Sequence, residues 1–127
     1  MQKIPTLVGV GGHFAGEVFP LEYGKTISIG RSRAADFSLR RTQKYRGQSE
    51  AERENDQAAK TVSGKHLEVT MYNLGSIEIK NLSPNGIQVD GKPVQSVMLD
   101  DITKREHEIR FGLEEVLKLE MRVHEDL

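Results

Sequence analysis

Leu117-Lys118-Leu119-Glu120-Met121-Arg122-Val123 sets four apolar side chains on one face of an extended chain and three charged ones on the other. Strand side chains alternate faces, so this segment covers one side of a core and leaves the other side wet. Wound as a helix, it would scatter the same apolar groups around its circumference. Working outward, the period of two recurs in Ile27-Ser28-Ile29, Leu67-Glu68-Val69, Ile77-Glu78-Ile79, Ile87-Gln88-Val89 and Ile109-Arg110-Phe111. Turn signals part these short segments. They are Glu22-Tyr23-Gly24-Lys25, Asn73-Leu74-Gly75-Ser76, and the dipeptides Asn85-Gly86 and Asp90-Gly91, which accept the positive φ angles of tight hairpins. Short strands so punctuated, without amphipathic helices between them, predict an all-β chain built as a two-sheet antiparallel sandwich.

One segment breaks the rhythm. From 40 to 61 there is almost no apolar periodicity; its first part is basic (Arg40, Arg41, Lys44, Arg46) and its second mainly acidic (Glu50, Glu52, Glu54, Asp56). Ser49 and Glu52 have the spacing of a capping box, which allows a short helix to begin at Ser49. Its only apolar residues, Ala51, Ala58 and Ala59, are too few to dock it firmly. The expectation is a mobile loop insertion.

The 127 residues fit a single domain over 1–127, with a core at about 5–123 and the insertion at about 40–61. Eighteen Lys and Arg against nineteen Asp and Glu leave a net charge of −1, which argues against a general nucleic-acid binder. The absence of cysteine excludes a disulfide scaffold, cysteine zinc sites and thiol catalysis. No apolar run approaches the roughly 20 residues a membrane-spanning helix needs. Met1-Gln2-Lys3-Ile4-Pro5 leads into a glycine-broken segment without signal-peptide layout, so a cytoplasmic location and no membrane partner are expected.

Catalytic templates fit poorly. Gly9-Val10-Gly11-Gly12-His13-Phe14-Ala15-Gly16 is followed by Glu17, where a P-loop needs Lys and Ser or Thr. His13, His66, His107 and His124 stand far apart, with no local metal-ligand pair. Ser63 and His66 lack a nucleophile elbow. Asp100-Asp101 reads as a solvated turn, because neighbours on a strand point apart. No enzyme, metal or cofactor is expected.

Three other stretches stand at strand ends: Ile27-Ser28-Ile29-Gly30-Arg31, Ser63-Gly64-Lys65-His66 and Asn81-Leu82-Ser83-Pro84-Asn85-Gly86. Arginine offers a planar fork of donors matched to phosphate oxygens. A serine hydroxyl and loop N–H groups add donors, and an asparagine can both donate to and accept from an extended peptide. Meeting on one rim, these turns would form a pocket for one dianionic group.

In order and spacing the three stretches, followed by Ile109-Arg110-Phe111-Gly112, resemble the forkhead-associated (FHA) domain, a phosphothreonine-binding β-sandwich. The resemblance runs from about Pro5 to Val123 and implies about eleven strands with the ligand loops at one end. It assigns Arg31 and Ser63 to the phosphate and Asn85 to the peptide backbone; Gly30, His66 and Gly86 match the family's architectural positions. Lys65 and Ser83 are further candidate phosphate contacts. The family often carries a basic residue where Gly64 stands and a hydroxyl or small residue where Pro84 stands.

The implied function is phosphorylation-dependent protein–protein interaction in signalling, with a phosphothreonine-containing protein or peptide as partner. The alternative is a phospho-independent interaction or structural module using a sheet face or the insertion. The basic half of the insertion would extend the attraction for an acidic phosphopeptide. Thr42, in that mobile basic loop, would if phosphorylated permit self-association through a neighbouring copy's pocket.

Overall fold

A computed structural model describes residues 2–124. Eleven strands form it: β1 (Lys3–Gly11), β2 (Val18–Pro20), β3 (Lys25–Gly30), β4 (Phe37–Ser38), β5 (Leu67–Asn73), β6 (Ser76–Asn81), β7 (Ile87–Val89), β8 (Lys92–Val94), β9 (Ser96–Leu99), β10 (His107–Phe111) and β11 (Glu115–Val123). They make a six-stranded sheet, β2-β1-β11-β10-β7-β8, and a five-stranded sheet, β4-β3-β5-β6-β9. Strands β3 and β4 pair in parallel, and the other pairings are antiparallel.

The period-two pattern becomes the inner face of each sheet. Leu7 pairs with Leu119, and Leu117 with Ile109. All four are completely buried, as are Ile29, Leu67, Val69, Ile77 and Ile79 of the facing sheet. Each such side chain contributes on the order of 1.5–3 kcal/mol. Along β11 the apolar face runs out: Met121 is half-buried and Val123 exposed. Beneath the loops at one end, Phe14 packs edge-on against Phe37 at 4.7 Å and tilts against Phe111 at 5.9 Å, joining the two sheets.

The two hairpin dipeptides behave differently. Asp90 (φ 52°) and Gly91 (φ 82°) close the β7–β8 hairpin, because Val89 pairs with Lys92. Asn85-Gly86 makes no hairpin, since β6 and β7 lie in different sheets. Only Gly86 takes positive φ there, and its N–H donates to the Ser83 carbonyl across 3.1 Å. Pro84 then follows the first residue of the turn, where its fixed φ fits.

Between β4 and β5 the expected insertion carries short helices. A 3₁₀ turn (Leu39–Arg41) leads to α1 (Gln43–Arg46), α2 (Glu50–Glu54) and α3 (Gln57–Lys60). The predicted capping box is present: Ser49 Oγ accepts from Glu52 N–H at 3.2 Å, and Glu52 Oε1 accepts from Ser49 N–H at 2.9 Å. Polar ties do what the missing apolar face could not. The Arg53 guanidinium lies over the Tyr45 ring and donates to the Tyr45 and Arg46 carbonyls. Leu39, Ala59 and Val62 are buried at the ends of the segment.

Thr42 is not the exposed threonine its sequence context suggests. It is 1% exposed; its hydroxyl donates to the Leu39 carbonyl and caps α1 by accepting from Tyr45 N–H. A phosphate there would have to break that cap and displace the packing around it, so the self-association built on Thr42 loses its footing.

Buried histidines fasten the remaining segments. His13 Nε2 meets Asp56 Oδ2 at 2.6 Å and Nδ1 meets Glu115 Oε2 at 3.0 Å, tying α3 to the six-stranded sheet. Burial opposes a charge on His13, but the hydrogen bonds and charges of Glu115 and Asp56 outweigh it and raise the pKa above 6.5. Burial likewise disfavours an ionised Asp56; the Ala59 N–H, Gln48 and His13 prevail and lower its pKa. His107 sits between Asp90 (2.5 Å) and Asp101 (2.6 Å). Asp101 does open a turn, its carbonyl accepting from Lys104 and Arg105 N–H, but its side chain is half-buried and tied to His107 rather than solvated.

Candidate functional site

The loops after β3, before β5, after β6 and after β10 converge at one end of the sandwich. Backbone bonds stitch the first two together: Arg31 N–H donates to the Ser63 carbonyl at 2.9 Å and Ser32 N–H to the Gly64 carbonyl at 3.0 Å. Gly30 is what lets them touch. A Cβ at that position would lie 2.2 Å from the Gly64 carbonyl oxygen and 2.7 Å from that of Ser63. Arg31 is half-buried, and among the described residues no carboxylate pairs with it. Lys65 is exposed on the turn leading into β5.

Ser63 is held by His66, which is completely buried. The Ser63 N–H donates to His66 Nδ1 at 3.0 Å, so the ring proton sits on Nε2 and donates to the Gly86 carbonyl at 2.9 Å. Burial pushes the His66 pKa below 6.5, outweighing the Gly86 carbonyl, which favours protonation. The neutral ring also packs against Phe111 at 5.2 Å between centroids.

The loop after β6 reaches the same place. Ser83 is 4% exposed, and its hydroxyl lies 2.6 Å from that of Ser63 and accepts from Asn85 N–H at 3.1 Å. Ser83 therefore stands behind Ser63 rather than at the open rim. Asn85 is exposed; its Nδ2 donates to the Thr61 carbonyl at 2.9 Å. Arg31, Ser63 and Asn85 thus belong to one hydrogen-bonded assembly of loops.

Some contributors escape a reading of the sequence. Asn81 clamps its own loop by accepting from Ser83 N–H and donating to the Ser83 carbonyl; an Asn two residues ahead of a loop serine is the signal that could have found it. The Arg41 guanidinium donates to the Ala35 and Asp36 carbonyls, which brings the basic half of the helical segment to the Arg31 loop. Thr61 and Arg41 carry no local motif. The scattered histidines also hid a grouping: His13, Glu114 and Glu115 offer ligand-type atoms within 4.8 Å of one another. Both Glu115 oxygens there already accept N–H groups, from Phe14 and from His13.

A family model described as FHA domain matches residues 27–112. The chain belongs to the FHA domain family. Solved FHA domains share its architecture. That of the CT664 protein from Chlamydia trachomatis is 22% identical with a TM-score of 0.64, covering 92% of this chain and 97% of its own. One from a structural and functional analysis of phosphothreonine-dependent FHA domain interactions is 27% identical with a TM-score of 0.63, covering 95% and 97%. The FhaA FHA domain, solved in complex with the intracellular domain of Rv3910, is 27% identical with a TM-score of 0.60, covering 90% and 98%. No curated protein matches the sequence. FHA domains are interaction modules that bind phosphopeptides rather than enzymes. No helix among the described residues of this one is long and apolar enough to cross a membrane.

Proposed function

We propose that this FHA domain binds a phosphothreonine-containing segment of a partner protein and so makes an interaction dependent on a kinase and a phosphatase. The observation that carries the reading is Arg31: a half-buried cation with no acidic partner among the described residues, bonded through its N–H to the loop of Ser63. Phosphate adds about −1.5 to −2 charge and three acceptor oxygens to a threonine. Arg31 supplies a fork of charge-assisted donors and Ser63 a hydroxyl, while Asn85 holds the peptide backbone alongside. Lys65 adds charge at the rim.

Charge-assisted hydrogen bonds contribute on the order of 1.5–3 kcal/mol each. Two or three of them account for much of the roughly 8 kcal/mol of a micromolar complex, after the cost of ordering the peptide. An unmodified threonine makes none of them. The partner is supported by the family and by its relatives: one solved relative comes from work on phosphothreonine-dependent FHA interactions, and another is held in complex with an intracellular domain.

The test is a titration of matched Thr, phosphothreonine and phosphoserine peptides against the wild type and Arg31→Ala. The expected result is binding of the phosphothreonine peptide alone, abolished in Arg31→Ala. Equal affinity for phosphorylated and plain peptides, or full phosphopeptide binding by the variant, overturns the reading.

A further inference from the structure

Three loops meet on Thr61, at the point where the helical segment hands over to the approach to β5. Its carbonyl accepts from Asn85 Nδ2 at 2.9 Å. Its hydroxyl accepts from Leu113 N–H at 2.7 Å, in the β10–β11 turn, and donates to the Ala58 carbonyl of α3 at 2.6 Å. The close approach of that turn depends on Gly112, whose φ is +62°. A Cβ there would stand 3.0 Å from Thr61 Oγ1 and 2.8 Å from Val62 Cγ2.

The other end of α3 is anchored just as firmly. Asp56 caps the helix through Ala59 N–H at 2.9 Å, and its second oxygen takes His13 Nε2 and Gln48 Nε2 at 2.6 and 2.9 Å. Ala59, between the two anchors, is 3% exposed. One helical turn thus spans from the body of the sandwich at His13 to the ligand loops at Thr61.

We propose that Thr61 is a positioning residue, through which the helical segment sets Asn85 and the β10–β11 turn and so governs how firmly the protein holds a peptide beyond its phosphate. The inference rests on the phosphopeptide reading and deepens it. The phosphate contacts depend on bonds that do not pass through Thr61: Arg31 N–H donates to the Ser63 carbonyl, Ser63 N–H to His66 Nδ1, and the Ser63 and Ser83 hydroxyls meet, with Asn85 joined to them through its N–H to Ser83 Oγ, so the two parts of the ligand respond differently to change at Thr61. Valine keeps the shape and branching of threonine and removes both hydroxyl bonds; serine keeps the hydroxyl.

The experiment titrates two probes, a degenerate phosphothreonine-peptide pool and a single phosphothreonine blocked at both ends. The proteins are the wild type, Thr61→Val, Thr61→Ser and Asp56→Ala. Thr61→Val and Asp56→Ala are expected to weaken the peptide pool by about fivefold or more, while the blocked residue changes by less than about twofold and Thr61→Ser stays near wild type. In Thr61→Val, amide exchange at Leu113 should accelerate. Unchanged affinity of Thr61→Val for the pool, loss of both probes by the same factor, or unchanged Leu113 exchange overturns the proposal alone. A wild type that binds neither phosphorylated probe brings down the phosphopeptide reading, and this inference with it.

Discussion

The N–H of Ser63 donates to Nδ1 of His66 across 3.0 Å, so the loop proposed to grip phosphate is shaped by a histidine that must stay neutral. Protonating Nδ1 turns the acceptor into a donor and sets two N–H groups against each other.

The pH dependence follows in sign. His66 has a pKa below 6.5 in the folded protein, so its contribution is complete above that value and is lost as pH falls through the depressed one. A nuclear magnetic resonance titration should find a His66 transition below 6.5, with the Ser63 amide shifting in step. His66→Ala removes both bonds and the ring packed on Phe111, and should cost about 2–4 kcal/mol in denaturant unfolding.

Gly30 is a second point of failure. Gly30→Ala puts a methyl against two backbone carbonyls, atoms that cannot swing aside as a flexible side chain would. A loss of about 1–3 kcal/mol is expected, together with displaced amide resonances at Ser63 and Gly64. Wild-type stability in Gly30→Ala would contradict the packing described.

Ser83 should matter without touching ligand. The two hydroxyls of Ser63 and Ser83, 2.6 Å apart, share one hydrogen bond. When Ser83 donates it, the Ser63 proton is free to point at phosphate. Ser83→Ala is therefore expected to weaken phosphothreonine-peptide binding about three- to tenfold, measured by calorimetry, with Ser63→Ala weakening it at least as much.

The His13 clamp runs opposite to His66. Its pKa lies above 6.5, so the stability it supplies is complete below that value and lost as pH rises through the raised one. Thermal unfolding followed from neutral to alkaline pH should show this decline in the wild type and less of it in Glu115→Gln. Glu115→Ala leaves the His13 ring with Asp56 as its one remaining acidic partner and strands two backbone N–H groups, and should cost about 2–4 kcal/mol.

Particular residues mark what could be read in advance. Leu117 and Leu119 announce their buried face because strand alternation is local. Asp90-Gly91 announces its hairpin for the same reason, both positive φ values lying in one dipeptide. Ser49 and Glu52 announce a helix start, three residues apart. Asn85-Gly86 misleads, because whether a turn is a hairpin or a crossover depends on which sheet the next strand joins. The helical segment misleads more deeply. Its docking rests on Asp56 meeting His13 and on Arg53 covering Tyr45, polar contacts that no apolar periodicity records.

Taken alone, the sequence determined six of the strands (β3, β5, β6, β7, β10 and β11), their inner faces and the order of the Gly30-Arg31, Ser63–His66 and Asn85-Gly86 stretches, since each is written within a few neighbouring residues. Only the tertiary structure decided that Thr42 is buried, that His66 is neutral and that His13 is drawn toward charge. It alone joined the helical segment, through Thr61, to the loops of Asn85 and Leu113. Burial and hydrogen bonds between residues tens of positions apart exist only once the two sheets have closed on each other, and they set both protonation and loop position.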